Sequence, residues 1–140
     1  MGIFDKLKGS SALPTLEASS TAERLIEPYA DRLADLADRA GALEIVTAGE
    51  SLYVFVGKPP RAFGLVWYHD GQEQNSKKVA EERGFAYAQL ESFTNELRDV
   101  YMKHQGETRF ARKIGRHTAT VVPSEDFGAD VAATVESYTA

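Results

Sequence analysis

The sequence predicts an α+β domain: an antiparallel sheet of about five strands with helices packed on it, in the order α-β-β-β-α-β-β-α. Three features point there. Apolar residues recur at helical spacing in three long stretches, and strand-like runs alternate or stay apolar over five short ones. Helices and strands are also grouped rather than interleaved one for one, which disfavours a parallel nucleotide-binding sheet.

The first helix is expected to begin near Thr21, because Ser20 followed by Glu23 forms a capping-box pattern. Leu25, Tyr29, Leu33, Leu36 and Ala40 then share a face, and Gly41 supplies the stop. Pro28 interrupts this pattern, since a proline inside a helix removes a hydrogen bond and crowds the preceding turn. The main helix therefore starts near Pro28 or bends there.

Three strands follow: Leu43–Thr47, Leu52–Gly57 and Ala62–Tyr68, with a turn at Ala48–Ser51 and another at Lys58-Pro59-Pro60-Arg61. Leu52, Val54 and Val56 share one face of the middle strand, and Tyr53 and Phe55 share the other. A sheet wet on one side should alternate with polar residues, so the second side must be covered by a helix of the same chain or by a second subunit. Asp70-Gly71 ends this meander. Asn75 or Ser76 caps a short helix running to Arg83, and a longer helix spans about Ala86 to Gln105 with Leu90, Phe93, Leu97 and Val100 as its buried stripe. Thr108–Ile114 and His117–Val122 read as a hairpin closed by Gly115-Arg116, where glycine at the first central position suits a type II′ turn. Ser124 caps the last helix, whose apolar face is Phe127, Val131, Val135 and Tyr138.

Residues 1–20 read as a flexible leader and residues 21–140 as one domain. Within the leader, residues 1–9 resemble a frayed or docked strap more than a membrane anchor, and Ser10–Ser20 is rich in small polar residues around Pro14. The chain has no cysteine, so disulfides and thiolate metal sites are excluded. No apolar run is long enough to span a membrane, and a cytoplasmic location is expected. The net charge of −5 conceals a local balance of +4 between Lys103 and His117, which leaves −9 for the rest. An acidic chain is a poor general nucleic-acid binder.

Motifs for chemistry are missing. Neither the phosphate-loop pattern nor G-x-G-x-x-G occurs, and the three histidines lack the spacing that puts two ligands on one helix face. Gly49-Glu50-Ser51-Leu52-Tyr53 lacks the closing glycine of a nucleophile elbow. No catalytic residue, metal ligand or cofactor is therefore predicted. Two groups remain as candidates. Arg109, Phe110, Arg112, Lys113 and Arg116 form a basic hairpin that would grip an acidic partner, follow a nucleic-acid backbone, protect an edge strand, or pair with acidic helix faces of its own domain or of a dimer mate. Trp67, Tyr68 and His69 mark a candidate ligand cleft, against the alternative that the aromatics are core. His104 is expected to cap its helix.

Over about residues 21–139 the element order resembles that of small dimeric secretion chaperones and their YbjN-like relatives. The resemblance implies a non-enzymatic homodimer that binds a partner polypeptide. The leading expectation is thus a non-catalytic protein-interaction module, with a small-molecule or enzymatic cleft near Trp67–His69 and nucleic-acid binding through residues 109–116 as the alternatives.

Overall fold

Strand alternation and turn chemistry account for most of the architecture in the computed structural model, which describes residues 13–140. The strap expected over residues 1–9 lies outside the described residues. Four strands, β1 (Leu43–Ala48), β2 (Ser51–Lys58), β3 (Ala62–His69) and β4 (Gln72–Asn75), form an antiparallel meander. A hairpin of β5 (Phe110–Ile114) and β6 (His117–Val122) joins it, because β6 pairs with β1 in parallel through Glu44↔Thr120, Ile45↔Val121 and Val46↔Val122. The sheet order is β4-β3-β2-β1-β6-β5. The helices are α1 (Thr21–Ile26), α2 (Ala30–Ala40), α3 (Ser76–Arg83), α4 (Tyr87–Lys103) and α5 (Glu125–Thr139).

The class is α+β, as the sequence predicts, with two corrections. The sheet has six strands rather than about five, and it is mixed rather than wholly antiparallel. The extra strand arises because Asp70-Gly71 does not end the meander but turns it. Asp70 (φ 53°) and Gly71 (φ 79°) both take positive φ between the paired residues His69 and Gln72, the arrangement of a type I′ hairpin turn. The two helix breaks fall where Pro28 and Gly84 are expected to put them. Pro28 lies in a 3₁₀ turn (Glu27–Tyr29) that separates α1 from α2, and Gly84 at φ 65° separates α3 from α4. At Gly115 the glycine alone has positive φ (61°), which matches the expected type II′ turn.

Each face of the sheet carries its own core. On the first, Leu43, Ile45, Leu52, Val54, Ile114 and Val121 pack under Ile26 of α1 and Leu33, Leu36 and Ala37 of α2. On the second, Val46, Phe55, Leu65 and Val122 pack under Phe93, Leu97 and Tyr101 of α4 and Phe127, Val131 and Val135 of α5. The second apolar face is therefore covered by the chain's own helices. The face that motivated a second subunit is already dry.

Part of the stretch expected as leader is packed. Ala111 donates its N–H to the Pro14 carbonyl at 2.8 Å, and Leu16 donates to the Ala111 carbonyl at 2.9 Å, so Pro14–Leu16 runs along the outer side of β5. The Leu16 side chain is buried in the first core.

Helix α5 sits close on β1 because Gly128 has no side chain. A Cβ there would lie 2.3 Å from the Thr47 carbonyl oxygen and 2.6 Å from Ala48 Cβ, both far inside van der Waals contact. Alanine would gain roughly 1 kcal/mol in helix propensity, but overpacking costs about 1–3 kcal/mol or more where backbone must shift. Gly128→Ala is expected to destabilise the protein by up to about 2 kcal/mol net, read as a lower urea midpoint. A midpoint at or above that of the parent would show that α5 can lift from β1 without cost.

Candidate functional site

The basic hairpin folds onto acidic residues of its own chain. Arg112 grips the Glu23 carboxylate through Nε at 2.9 Å and Nη2 at 2.6 Å, and its Nη2 also reaches Glu27 at 3.4 Å. The bond from Arg112 holds the Glu23 carboxyl below its ordinary range despite partial burial. Arg109 donates Nε to Glu44 at 2.8 Å and Nη1 to the carbonyls of Gln105 and Glu107, with its guanidinium 5.7 Å from the centre of the Tyr101 ring. Burial, together with the Glu44 carboxylate that accepts from it, pushes the Tyr101 hydroxyl up to about 12. Asp38 of α2 accepts from Arg116 at 3.3 Å and from His117 at 2.7 Å. Phe110 packs against the first core, and Lys113 is exposed. The three arginines of the hairpin are thus met by Glu23, Glu27, Asp38 and Glu44.

Tyr68 turns away from Trp67 and His69, because consecutive residues of β3 point to opposite faces, and His69 does not line the pocket that Trp67 lines. Tyr68 is buried in the first core, its ring 4.9 Å from that of Tyr29. Trp67 faces the second side beside Tyr53, with ring centres 6.5 Å apart. His69 is exposed at the strand end, its Nδ1 2.8 Å from Ser51 Oγ. Among the described residues no carboxylate bonds the other His69 nitrogen, so a relay for nucleophilic attack is not assembled there.

Trp67 does line a pocket of about 310 Å³ at the β4 margin, with Gln74 of β4, Val79, Glu82 and Arg83 of α3, and Thr139 of α5. The register pairs Trp67 with Gln74, which puts both side chains on the second face. Helix α3 closes the wall: the Asn75 side chain caps it by accepting from Lys78 N–H at 2.7 Å. Arg83 donates to the carbonyls of Thr139 and Ala140. The Gln74 Oε1 atom is buried and has no hydrogen-bond partner among the described residues. Such an atom costs roughly 1–3 kcal/mol.

A second cluster joins α4, the following loop and α5. The His104 ring is 6 % exposed, stacked on Phe127 at 4.9 Å, with Nδ1 2.8 Å from Glu107 and Nε2 2.7 Å from Asp130. Lys103 also reaches Asp130, at 3.0 Å. Both ring nitrogens must donate, so the geometry calls for the imidazolium. Burial opposes that charge, yet the bonds to Asp130 and Glu107 outweigh it and hold His104 above its ordinary value of 6.5. Sequence reading expected a helix cap at His104; the partner on α5 carries no signal in spacing. Among the described residues no group of three or more metal-ligating side chains converges, and no helix is long and apolar enough to cross a membrane.

Comparison with protein-family models, with curated proteins and with solved structures gave no match.

Two outcomes follow from these geometries. Removing the unmet acceptor should stabilise the fold: Gln74→Leu is expected to raise unfolding free energy by about 1 kcal/mol, and a loss of that size would mean the amide is satisfied in solution. The histidine cluster should make stability depend on pH. His104 contributes fully below pH 6.5 and loses its contribution as pH rises through its higher folded value. Asp130 and Glu107 are held below 3.8 and 4.5 by their bonds to His104, so theirs is lost as pH falls through the folded values. Urea unfolding should therefore show a decline above pH 6.5 that His104→Gln abolishes; equal slopes in both proteins would contradict the imidazolium.

Proposed function

We propose that the protein is a non-catalytic module that binds an extended polypeptide segment along the outer side of β4, with one side chain of that segment in the Trp67 pocket. The observation that carries this reading is the inequality of the two sheet edges. β5 is lined by Pro14–Leu16, and the Arg112 guanidinium covers the Lys113 carbonyl at 2.9 Å. β4 is the terminal strand at the other end, and among the described residues no strand pairs with its outer side. An open edge gives main-chain hydrogen bonds, and an adjoining pocket gives side-chain selection, which are the two parts of strand-addition recognition. Chaperone-like capture of a partner polypeptide would use the same parts.

A homodimer formed by β4 against β4 of a second copy is the competing occupant of this edge. The acidic net charge, and the engagement of Arg109, Arg112 and Arg116 with carboxylates of the same chain, weigh against nucleic acid as the ligand. The pocket also favours a second reading, in which it takes a small molecule without any strand pairing.

Peptides selected from a random library against the full chain separate these readings. Trp67 is the single tryptophan, so its fluorescence reports binding at the pocket. Methylating alternate backbone nitrogens of a selected peptide leaves the protein untouched and removes main-chain donors. Each lost bond is expected to weaken binding by about tenfold. Equal binding by methylated peptides, or no selected peptide at all, would remove the strand-addition reading. Self-association that competes with peptide in sedimentation would assign the edge to a second copy.

A further inference from the structure

We infer that the outer ridge of α4 is a contact surface for a second copy of this chain, with the two α4 helices packed antiparallel about a two-fold axis between Thr94 and Asn95. The inference is independent of the reading of β4, because no residue of the ridge belongs to that strand or lines the Trp67 pocket. Tyr87, Glu91, Thr94, Arg98 and Met102 recur at intervals of three and four residues, so they form one row along the helix. Among the described residues the large apolar side chains left exposed are Leu13, Tyr87 and Met102. Two of these stand at opposite ends of the same row, Tyr87 at 80 % and Met102 at 48 % exposure. A hollow of about 300 Å³ follows the row from Tyr87 to Arg98.

The row is complementary to itself, and that symmetry selects the occupant. Turned about an axis between Thr94 and Asn95, Tyr87 meets Met102 of the second copy, Glu91 meets its Arg98, and Thr94 meets its Asn95. A two-fold axis makes each contact occur twice. A thioether is a favourable neighbour for an aromatic ring, and Glu91 against Arg98 pairs opposite charges. Arg98 is already held in place. Its Nε and Nη2 donate to the carbonyls of Pro60 and Arg61, and its Nη1 donates to Asn95 Oδ1. Each Nη keeps a second N–H for a carboxylate, and a side chain fixed beforehand loses little freedom on pairing. A parallel arrangement would set Glu91 against Glu91 and Arg98 against Arg98. A foreign helix would require none of this symmetry. The stretch from Tyr87 to Met102 is about 24 Å long. One helix pair of that length falls short of the standard interface of about 800 Å² per partner. The dimer is therefore weak, with a dissociation constant on the order of 100 µM.

Sedimentation velocity of the full chain, carried to several times that concentration, is expected to show a reversible shift from monomer toward dimer. Glu91→Arg and Arg98→Glu each set like charges against one another at both pairs, and each should weaken association about tenfold. An equimolar mixture of the two variants restores both opposite-charge pairs. It should associate as tightly as the parent, a recovery that misfolded variants could not produce. The chain has no cysteine, so single cysteines report proximity without background. Under mild oxidation Thr94→Cys should form a disulfide-linked dimer, while Ser92→Cys, exposed on another side of α4, should not. Equal cross-linking of the two cysteine variants overturns the inference, as does a mixture that associates no more tightly than its components. A parent that stays monomeric throughout, with no Thr94→Cys dimer, overturns it as well. Association that a β4-binding peptide displaces and that Glu91→Arg leaves unchanged would move the contact to the sheet edge and overturn it too.

Discussion

The parallel ladder between β1 and β6 joins two antiparallel units that would otherwise each present an extra open edge. It makes β1 a central strand with neighbours on both sides, and its side chains then divide between two cores: Leu43 and Ile45 to one, Val46 to the other. A parallel pairing requires a crossover. Here the chain leaves β4 and returns to β5 through α3 and α4, and α4 covers the second face together with α5, which follows β6. The dryness of both faces thus follows from the topology and needs no partner. The closeness of α5 to β1 at Gly128 locks the arrangement from above.

That topology brings distant charges into pairs. Arg112 meets Glu23 across 89 positions of sequence, and Arg109 meets Glu44 across 65. Both pairs are mostly withdrawn from water, with side chains 13–16 % exposed, so each tie has more consequence than a surface ion pair. They fasten the hairpin to α1 on one side and to β1 on the other. His104 does the same for α4 and α5 in its charged form. Basic character concentrated in a short stretch served the interior of the fold, and what it leaves exposed is the opposite margin of the sheet, at β4.

Local chemistry was legible in the sequence wherever one residue type forces one backbone geometry. Ser20 caps α1 by accepting from Glu23 N–H, Pro28 breaks the helix, and Gly115 turns the last hairpin. β4 escaped because its residues, Gln72-Glu73-Gln74-Asn75, have no apolar alternation to read. An outer strand with little to bury needs none. The Asp70-Gly71 pair was the available signal, and it is a strong one. The parallel pairing was out of reach, since strand partners depend on packing across the whole chain. For the site, Trp67 was singled out as an aromatic on a strand, but its neighbours were misjoined. Alternation alone puts Tyr68 on the other face. Gln74 could be placed only once β4 was known to exist. Glu23 and Glu44 looked like ordinary charges until the hairpin docked on them.

Among the described residues β5 is a closed edge and β4 an open one. Residue-resolved amide hydrogen exchange on the unliganded protein measures this directly. Ala111, whose N–H is bonded to Pro14, should be protected to the level of the central strands. The β4 amides facing away from β3 should exchange at rates close to those of an unstructured chain. Protection of those β4 amides equal to that of β1 and β2 would mean the edge is already occupied in the free protein, and would contradict the account.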